Sequence, residues 1–469
     1  MNRRVVSALA VAGIVVGCTL TPEFKRPQTA IDSTWRGAAS NSVALPENGT
    51  TAAGLGWNDF FSDPRLRSLI RLALENNRDL KVATLLIEQQ RAQYRIQRSA
   101  LFPSVEGDAS RLRQRTSGAV SDFNGGTILS VYSANLSASY ELDLFGRVRS
   151  LKREALEQYL ATEEARRSVH LALVSEVATE YLTQLRLREA KAVANRTLET
   201  VQTSLDLIRK RFDAGAATEL ELRTAEGQVQ TVKVNAAAFL QQLAESENAL
   251  VVLIGQPLPA DLPAGIPFAE QRLLGPLPAG IPSEVLQRRP DVLAAEHTLK
   301  AAQANIGAAR AAFFPRIFLT ASGGTASAKL SDLFTGPSET WSFMPQVTVP
   351  IFDFGGTRAR LAASKVGSEM EMVRYQKSIQ TAFREVADAL ATRSILDDKV
   401  RAQELLLESQ KKRFELTEAR YRQGVDSYVD VLLAQQDLYA AQQNLLQFQA
   451  ARLLNGIALY RSLGGGWKS

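Results

Sequence analysis

The chain encodes a long helix, a turn and a returning helix twice. Arg211–Gly215 recurs as Arg420–Gly424, and the match continues without gaps through the helices that follow. Such self-similarity indicates a two-fold internal repeat, so we expect two fused halves of one architecture. Gly215 and Gly424 stand where a helix must end and reverse, a position that favours a residue able to take positive φ.

Composition argues against several classes of function. The chain has 469 residues, of which 45% are apolar and 22% are charged, as in an ordinary folded protein. The net charge is only +6 and basic residues are scattered among acidic ones, which gives nucleic-acid binding little support. With two histidines and one cysteine, little is left for a metal site or a Cys/His catalytic pair. We expect no enzyme and no metal.

Residues 1–17 have the pattern of an export signal. Arg3 and Arg4 precede an apolar run from Val5 to Val16 that is shorter than the ~20 residues of a spanning helix. The run ends in Gly17-Cys18, which resembles a bacterial lipobox, and this implies a diacylated Cys18 as the mature N-terminus and as the one covalent lipid cofactor. The alternative is an ordinary signal peptide with an incidental cysteine. One lipid site is a modest anchor, so a second attachment to the membrane is expected.

The most specific local pattern is a strict alternation from Tyr132 to Leu142. Tyr, Ala or Leu occupies every even position, and Ser, Asn or Glu occupies every odd one. Alternation over about 10 residues with aromatics near both ends is typical of a strand between lipid and water, and the alternative is a half-buried strand in a soluble sandwich. We predict strands at about 104–115, 130–142, 316–328 and 341–352.

The rest of the chain divides around these strands. Residues 18–62 are interpreted as an extended tether, 63–255 as the first structural repeat, 256–282 as a proline-rich linker, 283–464 as the second repeat and 465–469 as a tail. Asp63-Pro64 predicts a helix N-cap followed by proline in the first turn. No proline occurs between Val148 and Phe212, where apolar residues recur at heptad spacing. This predicts a coiled-coil helix of roughly 100 Å.

These elements together predict a conduit. Four membrane strands cannot close a barrel, and open sheet edges are not tolerated in hydrocarbon, so copies of the chain must share one barrel. The long helices carry too many Arg, Glu and Gln to lie in lipid and must extend into an aqueous compartment. A shared barrel continuous with a helical tube would be a channel.

Several short motifs resemble those of one family. They are Gly17-Cys18-Thr19, Gly56-Trp57 with Asp63-Pro64, Glu141-Leu-Asp-Leu-Phe-Gly-Arg147, Arg288-Arg-Pro-Asp291, Ala308-Ala-Arg-Ala-Ala-Phe-Phe-Pro315 and Leu463-Gly-Gly-Gly-Trp467. Over almost its whole length the chain is similar to the TolC superfamily of outer-membrane efflux channels, and to OprM-type lipoproteins within it.

The resemblance implies an α+β membrane protein. Its homotrimer would share a 12-stranded β-barrel that continues into a long α-helical coiled-coil barrel in the periplasm, with an equatorial region built from the linker and termini. Thr19 after the cysteine favours delivery to the outer membrane. The implied partners are a periplasmic membrane-fusion adaptor and an inner-membrane RND transporter. The implied function is passive exit of small amphiphilic drugs, dyes or detergents.

The family also implies a gate at the periplasmic helix turns. Matched by position, the candidates that tie the inner helix pair to its neighbours are Tyr421, Asp426 and Glu221. Asp430 matches the first ring of aspartates at the entrance, but Leu433 occupies the second ring, so a leucine constriction is an open alternative to a second charged ring. Three copies of Asp430 around a threefold axis would favour cations at the entrance. Simpler alternatives are a solvated helix residue for Asp430 and ordinary packing for Tyr421 and Phe212.

Two other functions fit parts of the pattern. One is a type I protein-secretion channel of the same fold, against which the lipobox and Arg288-Arg-Pro-Asp291 argue. The other is a structural periplasmic coiled-coil lipoprotein without a pore, which would need no lipid-facing aromatic residues.

Overall fold

The structure, a computed structural model, describes residues 19–27, 55–117, 127–273 and 288–465. The predicted signal peptide, the lipidation candidate Cys18, most of the tether, residues 274–287 of the linker region and residues 466–469 of the tail lie outside the described residues. The chain divides into two compact units. The first comprises Met1–Gln28, Leu86–Glu163 and Ala294–Gln376, and the second comprises Thr29–Leu85, Glu164–Leu293 and Lys377–Ser469.

Helix, strand, strand, long helix and returning helix follow one another in each half of the chain. The described elements are α1 (Trp57–Phe60), α2 (Pro64–Asn76), α3 (Arg78–Ser99), β1 (Ser104–Thr116), β2 (Thr127–Leu142), α4 (Arg147–Asp213), α5 (Glu219–Ile254), α6 (Pro290–Ala311), β3 (Arg316–Ser327), β4 (Glu339–Thr348), α7 (Gly356–Arg422) and α8 (Tyr428–Ser462). Among them, α4 and α7 each contain 67 residues. None of the described helices combines the length and apolarity that crossing a membrane requires.

In the first unit the strands form an antiparallel sheet in the order β1-β2-β3-β4. Directly opposed residues of antiparallel strands lie on the same face, so the register assigns every strand residue to a face. Leu136 stands opposite Gly107 and Gly323, and Gly323 stands opposite Trp341. The face that contains Leu136, called the apolar face below, also carries Val105, Ala109, Tyr132, Ala138, Tyr140, Leu142, Ile317, Leu319, Ala321, Phe343 and Val347.

The opposite face of the sheet, called the polar face, carries mainly serine, threonine, asparagine and acidic side chains, together with Leu112, Leu129, Val131, Phe318 and Met344. Ser110 and Ser133 are hydrogen-bonded across β1 and β2 at 2.9 Å, and Ser322 and Ser342 across β3 and β4 at 2.8 Å. Over the stretch of β2 from Tyr132 to Leu142 the register therefore separates a mainly apolar face from a mainly polar one.

Two strands differ from the predicted bounds by more than one residue. β2 begins at Thr127 and not near 130, because Thr127 pairs with Thr116 at the far end of β1. β4 spans Glu339–Thr348 and not 341–352. Its pairing ends where Thr348 meets Arg316, the first residue of β3, so residues 349–352 have no partner strand on that side.

The strand-to-helix junctions differ in what covers their aromatic residues. The ring of Phe145, between β2 and α4, stacks on Phe314 with 4.6 Å between ring centroids. At the corresponding junction between β4 and α7, Phe354 is 93% exposed and contacts Phe352, which is also exposed. The aromatic residue at the junction between β2 and α4 is therefore covered within the chain, whereas the aromatic residues at the junction between β4 and α7 are exposed.

Residues 19–27, predicted as part of an extended tether, are docked on the rest of the first unit. Arg26 donates from Nε and Nη2 to Glu296 Oε2 at 3.1 and 2.9 Å, and Lys300 Nζ lies 2.7 Å from Glu296 Oε1. Burial alone would raise the pKa of Glu296, but Lys300 and Arg26 together lower it. Arg310 donates to the Leu20 carbonyl at 2.9 Å. The start of the segment is thus held by side chains of α6.

In the second unit, residues 57–61 belong to the core, so the predicted tether over 18–62 is wrong for this part. Trp57, Phe60 and Phe61 are buried, and Phe60 stacks on Tyr460 at 3.9 Å with an interplanar angle of 8°. The Tyr460 hydroxyl donates to the Leu55 carbonyl at 2.7 Å. Burial of each large aromatic side chain contributes about 1.5–3 kcal/mol, which favours docking of this segment on the core.

Asp63 joins three parts of the second unit, and its predicted role as N-cap of α2 is confirmed by bonds from Arg65 N and Leu66 N. Its other oxygen, Oδ2, accepts from Tyr181 Oη at 2.8 Å, from Ile266 N at 3.0 Å and from Gln271 Nε2 at 2.6 Å. This side chain therefore links α2, α4 and the described part of the proline-rich linker.

Candidate functional site

The first helix turn has the hydrogen bonds of a Schellman motif. Ala216 N donates to the Arg211 carbonyl at 2.7 Å, and Gly215 N donates to the Phe212 carbonyl at 2.9 Å. Gly215 has φ +70°, and a Cβ added to it would meet open space. The glycine is therefore required by its backbone conformation and not by crowding.

The second turn repeats this geometry. Val425 N donates to the Arg420 carbonyl at 3.0 Å, Gly424 N donates to the Tyr421 carbonyl at 2.9 Å, and Gly424 has φ +77°. The two turns thus share the same backbone hydrogen bonds and the same positive φ at their glycines.

Both returning helices begin with a capping box that uses a candidate site residue. The Glu221 carboxylate accepts from Thr218 N at 2.7 Å, and the Asp430 carboxylate accepts from Ser427 N at 3.1 Å and Ser427 Oγ at 2.7 Å. The structure gives Asp430 a local role in starting α8, and its role at an entrance stays a prediction.

Tyr421 links the two helical hairpins, α4–α5 and α7–α8. Arg211 Nη1 donates to Tyr421 Oη at 2.6 Å, and the Arg211 guanidinium lies 5.1 Å from the centroid of the Tyr421 ring. Burial raises the pKa of Tyr421, and Glu221 adds to the rise while Arg211 opposes it. Sequence reasoning did not assign Arg211 to the site. The sequence feature that could have drawn attention to Arg211 is the repeat, which places Arg211 at the position of Arg420.

Asp426 bonds within its own hairpin. Arg420 donates to it from Nε at 2.8 Å and from Nη2 at 2.9 Å, a bidentate ion pair. This pair lowers the pKa of Asp426. Of the three candidates proposed to tie neighbouring helices together, the structure places only Tyr421 in a side-chain hydrogen bond between the two hairpins.

The remaining candidates lie on exposed surfaces of the hairpins. Leu433 is 47% exposed on the same face of α8 as Asp430, three positions away, and Phe212 is 37% exposed at the end of α4. Gln436 donates from Nε2 to Gln228 Oε1 at 2.8 Å, a second bond between the hairpins. The choice between a charged and an apolar constriction stays a prediction.

Beneath the turns, the hairpins share a small apolar cluster. It consists of Val201, Leu205, Ile208, Leu222, Ala225, Val229, Val232, Tyr428, Val431 and Leu432, with Phe414 and Tyr421 packed against it. Because α4, α5 and α8 all contribute, this cluster is the packing that holds the two turns side by side. Among the residues that the structure describes, no group of three or more His, Cys, Asp or Glu side chains is placed to hold a metal ion.

A sheet with a mainly apolar face, in a chain that also forms long polar helical hairpins, is the arrangement expected of one class: β-type membrane proteins that carry helical hairpins. The chain belongs to the outer membrane efflux protein family, whose model matches residues 69–256 and 281–465.

Similar proteins agree over nearly the whole length. The chain is 42% identical over 468 residues to the probable efflux pump outer membrane protein TtgC of Pseudomonas putida, covering 100% of this chain and 96% of that one. It is 44% identical over 451 residues to the solvent efflux pump outer membrane protein SrpC of the same species, covering 96% of each. The open state of the Neisseria gonorrhoeae MtrE outer membrane channel superposes with a TM-score of 0.87 at 40% identity, covering 96% of this chain and 99% of that one.

The protein is therefore an outer-membrane component of an efflux pump, and a transport protein by family. Its fold is that of an outer-membrane channel. The names of the relatives favour the efflux interpretation over a protein-secretion channel or a scaffold without a pore.

Proposed function

We propose that three copies of this chain form the exit duct of a tripartite efflux pump, with one shared 12-stranded barrel continuous with a helical tube in the periplasm. The observation that carries the proposal is the sheet. Its register assembles a continuous apolar face, while β1 and β4 each have one neighbouring strand among the described residues. Unpaired edges cost several kcal/mol per polar group in hydrocarbon, so β4 of one copy pairs with β1 of the next.

The internal repeat supports this closure. Within the chain, the junction after β2 is covered by an aromatic residue from the junction before β3, in the stack of Phe145 on Phe314. The edge junctions leave Phe102 and Phe354 exposed. When β4 meets β1 of a second copy, these residues occupy positions equivalent to the covered pair.

Relatives suggest the cargo and the partners. Their names mention toluene, solvents and antibiotics, which are small apolar or amphiphilic compounds. A periplasmic adaptor and an inner-membrane RND transporter would deliver such compounds to the helix turns. A lipid on Cys18 would add to the hold of the barrel on the outer membrane.

The helix turns would be the gate. Arg211–Tyr421 and Gln228–Gln436 hold the two hairpins of one copy together. Breaking these bonds would let the α7–α8 hairpin move away from α4–α5 and widen the entrance, with Asp430 and Leu433 on the exposed face of α8.

Two proline substitutions at adjacent positions of β1 test the closure. Neighbouring strand residues direct their N–H groups to opposite sides, so one of Asp108→Pro and Ala109→Pro removes a bond to β2 and the other removes a donor at the outer edge. In a closed barrel both edges are paired, and both variants should lose heat-modifiable trimers and conductance in planar bilayers. If one variant loses trimers and conductance while the other keeps both, the outer edge of β1 is not paired and the proposal is wrong.

A further inference from the structure

Three arginines form a ladder on the apolar face of β1. Arg111, Arg113 and Arg115 stand opposite Tyr132, Ser130 and Ile128 in the register, and so share the face that contains Leu136. Successive members are about 7 Å apart along the strand. Apart from these arginines, Glu339 on β4 is the one charged residue that the described strands place on this face, so a run of three positive charges needs an explanation.

The arginines have no acidic partner across the strand pair. Their opposed residues on β2 are an aromatic, a serine and an isoleucine, and the acidic residues Glu106 and Asp108 of β1 stand opposite Ser137 and Asn135 on the polar face. The Arg111 guanidinium lies 5.1 Å from the centroid of the Tyr132 ring. This cation–π contact orients the guanidinium without neutralising it.

The ladder begins where the apolar residues of this face end. Between Leu142 and Tyr132 that face runs for about 11 residues along β2, the length of a tilted membrane strand. β3 pairs with β2 only up to Tyr132, so Arg113 and Arg115 lie on the part of the β1–β2 hairpin that extends past β3. Arginine is costly on a lipid-facing surface at the bilayer midplane but costs little at its interface.

The free end of this hairpin is the end opposite the junctions with the helices. If the helices lie in the periplasm, as in the proposed function on which this step rests, the arginines lie at the level of the outer leaflet headgroups. Guanidinium groups bind phosphate through paired N–H donors.

We propose that Arg111, Arg113 and Arg115 bind the phosphate groups of the acidic glycolipid of the outer leaflet. Tyr132 fixes the lowest arginine, and the acyl chains of the lipid lie along the apolar face below. The site would fix the height of the barrel in the outer leaflet.

The binding test uses the detergent-solubilised full chain titrated with purified lipid A and followed by native mass spectrometry. Each cation near an anionic headgroup changes affinity by about five-fold, so R111Q/R113Q/R115Q should bind lipid A on the order of 100-fold more weakly than wild type. A matched control, R188Q/R196Q/R401Q, removes the same charge from exposed helix positions and should bind as wild type does. R111Q/R113Q/R115Q is called the ladder variant below. The affinity of wild type for dephosphorylated lipid A should be as low as the affinity of the ladder variant for lipid A.

Equal binding of lipid A by wild type and the ladder variant would overturn the site, as would equal binding of lipid A and its dephosphorylated form by wild type. Displacement of lipid A by millimolar inorganic phosphate would show a simple anion site and would also overturn it. If the glutamine variant fails to assemble, the affinity of R111K/R113K/R115K for lipid A is measured in its place. An affinity about ten-fold lower with intact trimers supports the site, and an unchanged affinity refutes it.

Conductance in planar bilayers separates this inference from the channel itself. The ladder variant should conduct as wild type does. A wild-type protein that binds lipid A but does not conduct refutes the proposed channel and leaves the lipid site standing.

Discussion

Removing one hydroxyl at the helix turns should increase the time that the channel spends open. Tyr421→Phe deletes the 2.6 Å hydrogen bond from Arg211 but keeps the aromatic ring and its contact with the guanidinium. A hydrogen bond to a charged group is worth about 1.5–3 kcal/mol when buried. Tyr421 is half-buried, so about 1 kcal/mol per copy is the appropriate value.

The size of the effect depends on how the three copies move. If the hairpins separate independently, each closed-to-open equilibrium shifts by about five-fold. If the three copies open together, the total of about 3 kcal/mol shifts the equilibrium on the order of 100-fold. Single-channel recording in planar bilayers measures the open probability directly, and the influx of a bulky hydrophilic antibiotic into cells gives an independent readout.

A matched variant isolates the hydrogen bond. Tyr428→Phe removes a hydroxyl from a ring whose centroid is 5.7 Å from that of Tyr421, but this hydroxyl makes no side-chain hydrogen bond in the part of the chain that the structure describes. It should leave gating unchanged. An open probability of Tyr421→Phe equal to that of wild type, with trimers intact, would show that the link between the hairpins does not hold the gate.

Three further predictions concern stability and pH. Arg289→Ala should lower the free energy of unfolding by about 3–5 kcal/mol in urea denaturation, because the buried guanidinium binds two carboxylates at 2.7 and 2.8 Å, while Arg288→Ala at the exposed neighbouring position should change it by less than about 0.5 kcal/mol. Asp63→Ala should lower the free energy of unfolding by about 3 kcal/mol or more, because three donors at 2.6–3.0 Å lose their buried acceptor. Asp59→Ala, on the exposed side of α1, should leave that free energy nearly unchanged. Burial, with a smaller contribution from a nearby arginine, lowers the pKa of His170 to about 4 from its ordinary 6.5. As pH falls, the unfolded chain therefore binds the proton before the folded chain does. The free energy of unfolding of wild type should fall by about 2–3 kcal/mol between pH 6.5 and 4 through this group, and that of His170→Phe should lack this decrease. Identical dependence of the two free energies on pH would refute this.

The sequence predicted the regular elements best where one physical signal dominated. The absence of proline and the heptad spacing found the long helices, and strict alternation found β2. β1 is harder to recognise, because three arginines and a glycine stand among the residues of its apolar face. The register with β2 is needed to see which residues of β1 share that face. Trp57 and Phe60 were placed in a tether because a helix of 4 residues is too short to show a period.

At the candidate site, local chemistry was predictable and long-range contacts were not. The turn glycines follow from the need for positive φ at a helix end. The contact between Arg211 and Tyr421 depends on how two distant hairpins pack, and no pattern within either hairpin encodes it. The pairing of Asp426 with Arg420 was equally invisible, since the Schellman turn brings these residues together only once it has formed.

The docked segment 19–27 has a mechanical consequence. Leu20 is fixed to α6 through Arg310, and Cys18 lies only two residues before it, a reach of about 7 Å. A lipid on Cys18 would therefore be connected to the folded body without slack. Any vertical force that the inner leaflet exerts on the acyl chains would pass directly into α6 through this bond and the ion pair of Arg26 with Glu296. The anchor would then act as a stop that limits how far the protein rises or sinks in the membrane.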